Sequence, residues 1–362
     1  MPKIMIAAAL LAGAALSASV AQAGTLIPVA PFTNSVTTYA YGINDSNVIT
    51  GLYTRTDGTQ HGFTGPISGE GYSTFDFGGG GHTFAFALSN EGWVTGLDAN
   101  PNTECQVFGC EYVRQPTGEP DKILRDGVGL DGITGQMIKG QKFIAEYWTI
   151  DENENLTATG YFGQASSYVK DLKFPIDTTR LRARGYNKDV VGYYLDSPNH
   201  DYPGFILHKK VVTSVNYPSA AFTEFEGIND KGVIVGGWQD QAGTTGQPFI
   251  YDAGKNTFKI IKIPGSSIAI ARQINNAGLI TIFSDTGGFI YCSKKNTCPD
   301  ARNAIQVPEE IVPAGRTRWT PCKDGCIAPH PRNLKPVNAA SLRAAMARDK
   351  DLRLMLTSPY MR

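Results

Sequence analysis

The sequence predicts an all-β protein in which one four-stranded unit recurs about six times, and three observations carry that expectation. First, an apolar approach, an Asn-Asp-x-Gly reversal and a β-branched exit run through Gly227-Ile-Asn-Asp-Lys-Gly-Val-Ile-Val-Gly-Gly-Trp238. Weaker copies surround Asn44, Asn90, Asn187 and Asn275. Second, neighbouring markers are usually 42 to 46 residues apart, and a degenerate copy around Asp151 fills the one double gap. Third, each unit carries one aromatic after its exit strand: Phe63, Tyr112, Tyr168, Phe205, Phe249 and Phe289. A short antiparallel sheet of this period cannot cover its own faces, whereas sheets stacked radially around an axis bury both. Residues 25 to about 312 are therefore expected to form a β-propeller of six four-stranded blades. Two alternatives stand beside it: a seventh blade, with Gly129 to Gly135 as its remnant, and an open β-solenoid.

Each part of the unit has a physical reason. In the turn, the Asn and Asp side chains can hydrogen-bond the backbone, and Gly232 can take a positive φ without steric cost. The exit strand ends in Gly and often an aromatic: Tyr53, Phe162, Tyr194 or Trp238. Such rings could stack on a sugar at a rim, but strand alternation favours packing between sheets. A turn such as Asp252 to Asn256 then leads to a last strand such as Phe258 to Ile263. Gly or Pro closes the unit, as at Gly78 to Gly81, Pro218 and Pro264-Gly265. Two segments fit poorly, the insertion from Asp98 to Cys110 and the stretch from Arg125 to Gln141, and irregular loops are where function is commonly grafted.

The ends differ from the repeats. Lys3, an apolar run from Ile4 to Leu16, and Ala21-Gln22-Ala23 before Gly24 read as a cleaved export signal over residues 1–23. The apolar run is short for a membrane anchor, and no Cys follows the cleavage motif to take a lipid. A periplasmic or extracellular protein without a membrane span is expected. Its six cysteines suit an oxidising compartment and fall as close pairs: Cys105/Cys110, Cys292/Cys298 and Cys322/Cys326. The zinc alternative, Cys322 and Cys326 with His330, lacks a fourth ligand at useful spacing. Ten Lys/Arg against three Asp make residues 313–362 a basic tail on an acidic body. Within that tail, 313–338 reads as loop and Ala339 to Thr357 as a helix with one apolar face.

The units resemble the bacterial extracellular repeat family named for its His-Ala-Phe triplet, with Gly42 to Gly51 followed by Gln60-His61-Gly62-Phe63 as the best copy. Gly227 to Gly237 with Gln247-Pro248-Phe249 is the next. Only the Phe persists elsewhere, in Pro203-Gly204-Phe205 and Gly287-Gly288-Phe289. The resemblance implies an exported, propeller-like protein, and it carries over no general activity.

Little in the chain looks catalytic. None of His61, His82, His200, His208 and His330 has a partner at helical metal-binding spacing. There is no Gly-x-Ser-x-Gly elbow, and Gly78 to Gly81 lacks the Lys-Ser/Thr of a phosphate loop. Asp151 to Asn155 begins like a calcium loop, but Leu156 and Phe162 stand where Gly and Glu are needed. No metal, cofactor or nucleic acid is expected. The favoured function is a non-catalytic binding or scaffold protein contacting an envelope protein or an anionic cell-surface or matrix polymer. The alternative is a glycan-acting hydrolase or lyase, which would need two converging carboxylates.

Overall fold

The computed structural model describes residues 24–77, 82–98, 110–117, 137–139, 142–150, 156–164, 167–172, 181–186, 189–194, 202–209, 211–293, 298, 303–318 and 327–328. Strand β1 is Gly24–Pro28. The first sheet has β2 (Ser35–Ile43), β3 (Val48–Arg55), β4 (Gln60–Pro66) and β5 (Ser73–Phe75). The second has β6 (Thr83–Leu88), β7 (Val94–Asp98) and β8 (Cys110–Arg114). The third contains β9 (Met137–Lys139), β10 (Lys142–Ile150), β11 (Leu156–Gln164) and β12 (Ser167–Leu172). The fourth contains β13 (Leu181–Tyr186), β14 (Val190–Tyr194), β15 (Gly204–His208) and β16 (Val211–Asn216). The fifth contains β17 (Phe222–Ile228), β18 (Ile234–Gln239), β19 (Gly246–Asp252) and β20 (Thr257–Ile261). The sixth contains β21 (Ala269–Ile274), β22 (Leu279–Ser284) and β23 (Gly287–Cys292). The chain continues through β24 (Ile305–Val307), β25 (Glu309–Pro313), β26 (Gly315–Arg318) and β27 (Ile327–Ala328). Among the described residues there is no helix, and so none long and apolar enough to cross a membrane.

The arrangement is that of a β-propeller. β6 packs over β2–β4, β17 over β13–β15, β21 over β17–β19, and β2 over β21–β23, so the first sheet covers the sixth. From β10 through β13, β17, β21 and β2 to β6 the first strands also touch in succession, which places them innermost. The core is correspondingly divided between sheets. Val191, Phe225, Phe249 and Phe258 fill the gap between the fourth and fifth sheets. Val235, Ile261, Ile280 and Tyr291 fill the next, and Ile43, Tyr53, Phe63 and Ile290 join the sixth to the first. The third-strand aromatics behave as anchors: Phe63, Phe205 and Phe249 are fully buried, and Tyr112 and Phe289 nearly so.

Both ends of the described chain enter the sheets. β1 lies fourth in the sixth sheet, between β23 and β24, where the repeat pattern calls for a last strand of the sixth unit. The segment after it then runs back along the outer edges. β24 edges the sixth sheet, β25 pairs with β20 of the fifth, β26 with β16 of the fourth, and β27 with β12 of the third. This corrects the division at residues 312 and 313, which falls inside β25, and the expected loop from 313, which contains β26 and β27. An outer-edge strand is held through its backbone, so it leaves no alternation of buried and exposed residues to read. β25 shows this, with every position half-buried or exposed.

The two segments that fit the repeat poorly have defined ends. Asp98 and Cys110 face each other in the β7–β8 ladder, so the insertion leaves and returns on one rung. Met137–Lys139 of the irregular stretch pairs with β10 on the edge away from β11. Cys292 and Cys298 form a disulfide with Cα atoms 5.6 Å apart. Residues 1–23, the Gly78–Gly81 closure, the Asp151–Asn155 turn, Cys105, Cys322, Cys326, His200, His330 and the Ala339–Thr357 helix lie outside the described residues, as does the side chain of Cys110.

Candidate ligand groove and turn ring

The repeated turns share one construction. Asn229 N–H donates to the Val233 carbonyl (3.1 Å), Gly232 N–H to the Asn229 carbonyl (2.9 Å), and Val233 N–H to Asn229 Oδ1 (3.0 Å). Asn44 and Asn275 repeat this with Val48 and Leu279. The fourth turn residue takes a positive φ: 59° at Asn47, 87° at Gly92, 74° at Gly232 and 87° at Gly278. In the second unit the residue in the Asn position is Ser89, whose Oγ accepts from Trp93 N–H at 3.1 Å. Asn90, the marker expected from sequence, holds the position after it. Counting back three residues from Gly92 would have found the right register.

The turns are also tied to one another. Asn229 Nδ2 donates to the Asn275 carbonyl (3.1 Å), Asn275 Nδ2 to the Asn44 carbonyl (3.1 Å), and Asn44 Nδ2 to the Ser89 carbonyl (3.2 Å). The following residues repeat the pattern, with Asp230 N–H on Asn276 Oδ1, Asn276 N–H on Asp45 Oδ1, and Asp45 N–H on Asn90 Oδ1 at 2.8 to 2.9 Å. A ring of hydrogen bonds thus crosses from the fifth sheet through the sixth and first to the second. Asp45 and Asp230 both accept from Asn276 Nδ2, at 2.8 and 2.6 Å, which places two exposed carboxylates within reach of one amide.

Beneath the ring, five first strands carry a β-bulge at the same place, three residues before the turn marker. Tyr41, Phe86, Arg184, Glu226 and Arg272 are the residues skipped by the ladders. A bulged residue leaves the pleat and re-aims its side chain. Four of these meet in sequence. Arg272 Nη1 pairs with Glu226 Oε2 at 3.2 Å, its guanidinium stands 5.4 Å from the Tyr41 ring centroid, and Tyr41 packs edge-on against Phe86. Burial pushes the Tyr41 phenol up to about 12 despite Arg272, so it stays neutral.

A cavity of about 1050 Å³ opens beside the ring between the fifth and sixth sheets. Val233, Ile250, Ile274 and Ile280 give it an apolar floor, and Lys231, Lys255 and Lys259 line it as well. Lys231 Nζ donates to the Asn276 carbonyl (2.6 Å), Lys255 pairs with Asp252 (3.1 Å), and Lys259 pairs with Glu309 (3.1 Å). Ile311 of β25 completes the lining and is 61% exposed. The Lys255 backbone N–H and ammonium hold Asp252 below the usual carboxylate range.

The three described histidines make separate contacts. Buried His61 contacts Asp76 through Nδ1 (2.7 Å) and Thr59 through Nε2 (2.8 Å), while the Thr59 hydroxyl also donates to Asp57 (2.6 Å). His82 meets this region through its backbone N–H on the Gln60 carbonyl (2.6 Å), and exposed His208 pairs with Asp189 (2.5 Å). Among the described residues no three His, Cys, Asp or Glu side chains form a metal-binding group. The exit-strand aromatics face inward: Tyr53 and Tyr194 are buried, and Trp238 stacks on Tyr217 at 4.7 Å.

No family model and no curated protein matches the chain. Among solved structures it is similar to the WD40 beta propeller domain of Doa1, at 12% identity and a TM-score of 0.38, over 76% of this chain and 99% of that one.

Proposed function

We propose that the protein is an exported, non-catalytic β-propeller of the His-Ala-Phe repeat type, each of its six sheets one blade. Its periplasmic or extracellular ligand is an anionic cell-surface or matrix polysaccharide. The observation that carries this reading is the groove, with three lysines around an apolar floor large enough for several sugar residues. Lysine charges attract the polymer at long range, and the floor offers packing to the apolar faces of sugar rings. The affinity should fall as salt rises, because Lys231 and Lys255 are solvated. Lys231→Ala and Lys255→Ala should each weaken binding about threefold, the order of a surface charge contact, and flatten the salt dependence. Isothermal titration with an acidic polysaccharide measures both; unchanged binding in the double variant would sink this assignment. The basic tail can be tested separately by ending the chain after Ala328, since a cut at 313 would also remove β26 and β27.

One observation favours the hydrolase alternative. Asp45 and Asp230 share the Asn276 amide, which keeps them near the spacing of a glycosidase pair, about 5–9 Å. Both are exposed, the Asp45 carboxylate already accepts from the Asn276 backbone N–H, and the exit-strand rings of Tyr53 and Tyr194 that could wall a sugar site are buried. Glycan cleavage by the wild type that disappears in Asp45→Asn would establish the hydrolase over the binding protein.

A further inference from the structure

Gly24, the residue that follows the small-x-small motif Ala21-Gln22-Ala23, lies in strand β1. The strand is central to its sheet. Thr25–Pro28 pair with β23, Gly24–Leu26 pair with β24, and Gly24 to Ile27 are buried. A Cβ on residue 24 would overlap the Tyr291 ring. The Tyr291 hydroxyl donates to Glu309 Oε1, and the other oxygen of that carboxylate, Oε2, pairs with Lys259 Nζ at 3.1 Å. The Glu309 side chain is only 5% exposed. Gln306 Nε2, donating to Thr25 Oγ1 at 2.9 Å, fixes the neighbouring rung.

We propose that cleavage of the Ala23–Gly24 bond creates a structural ligand, the α-ammonium of Gly24, which docks beside Tyr291 and pairs with the Glu309 carboxylate. The reaction is a hydrolysis by a leader peptidase. Water adds across the amide, Ala23 keeps a carboxylate, and the Gly24 amine takes up a proton. Before cleavage the nitrogen of residue 24 is an uncharged amide with a single N–H. After cleavage it is a cation with three donors, beside a carboxylate that water barely reaches. Charge-assisted hydrogen bonds in such surroundings are stronger than surface ion pairs. Only glycine lets the terminus lie against the Tyr291 ring. The site joins β1 and β23 of the sixth sheet to β25 on the edge of the fifth, so leader removal fastens the two sheets together.

The proposal rests on the export reading, and the two can be tested apart. N-terminal sequencing of the exported protein should start at Gly24; another start would overturn the processing step. The pairing is tested on purified chains of defined terminus: one starting at Gly24, the same chain acetylated there, and one starting at Gln22. The free α-amine should titrate above its ordinary value of about 7.7–8.0, with Glu309, Lys259 and Tyr291 the titratable groups around it. With a raised folded value, its stabilisation is complete below the unfolded value and lost as pH rises through the folded one. At pH 7 the acetylated and extended chains should unfold with an equilibrium constant about tenfold larger, the order of one charge-assisted hydrogen bond. Glu309→Gln should erase that difference. An unshifted α-amine, or an equal Glu309→Gln effect in free and acetylated chains, would overturn the pairing. If the variant fails to fold, the amine titration of the wild-type chain decides.

Discussion

A methyl group at Gly232 would meet open space, whereas one at Gly236 would overlap the Glu224 carbonyl. The two glycines of one repeat thus serve different needs, a positive φ in the turn and a close approach opposite the bulge. Gly232→Ala should cost about 1–2 kcal/mol, the penalty of left-handed backbone for an L-residue. Gly236→Ala should cost more, about 3 kcal/mol or above, because backbone must move. Urea unfolding of the two variants gives the order, and equal losses would contradict it. Asp252 offers a residue-level test in acid. Its carboxylate is held low by Lys255, so the small stability it lends is present above the ordinary carboxylate value and disappears as pH falls through the lowered one. A carbon-detected titration should place its midpoint under 3.8, and Lys255→Ala should move it upward.

Among the elements, the strands from β24 to β27 are the least like the rest. They follow the outer edges of four sheets in reverse order, attached by backbone ladders and by pins such as Asn256 Nδ2 on the Ala314 carbonyl (2.8 Å). Covering an edge removes a template for unwanted strand pairing. A chain ending at Ala304 should therefore melt at lower temperature and also self-associate, which differential scanning fluorimetry and light scattering can report together. A truncated chain that stays monomeric at high concentration would show that the outer edges are protected in another way. The first-strand bulges form the inner counterpart of this belt. Their common position was hidden in the sequence because Tyr41, Phe86, Arg184, Glu226 and Arg272 mix aromatic, basic and acidic types. What they share is a backbone register.

Across the whole molecule, adjacent sheets are joined by apolar packing, the Asn ring and the buried Arg272–Glu226 pair. Removing one partner of a buried ion pair leaves a charge that water cannot reach. Arg272→Ala and Glu226→Ala should each cost about 3–5 kcal/mol, while the double change Glu226→Leu with Arg272→Met should be far milder. Thermal melts compare these variants, and the Glu226→Ala/Arg272→Ala double closes the cycle; a double as unstable as the sum of the two alanine singles would show that the pair is not coupled.

The all-β class, the turn chemistry and the buried third-strand aromatics were legible in the sequence because each depends on a period or on a local conformational need. Asn229, Gly232 and Phe249 do in three dimensions what their residue types require. The candidate groove was not legible, since Lys231, Lys255 and Lys259 come from different turns and strands and follow no spacing. Nor was the ring, because each Asn side chain finds its second partner about 45 residues away, or 231 across the closure from Asn275 to Asn44. Local sequence determined the repeating unit. Where the ends of the chain insert, which side chains meet between sheets, and which face carries a cavity were decided by tertiary structure, because those contacts form only once the sheets are packed around a common axis.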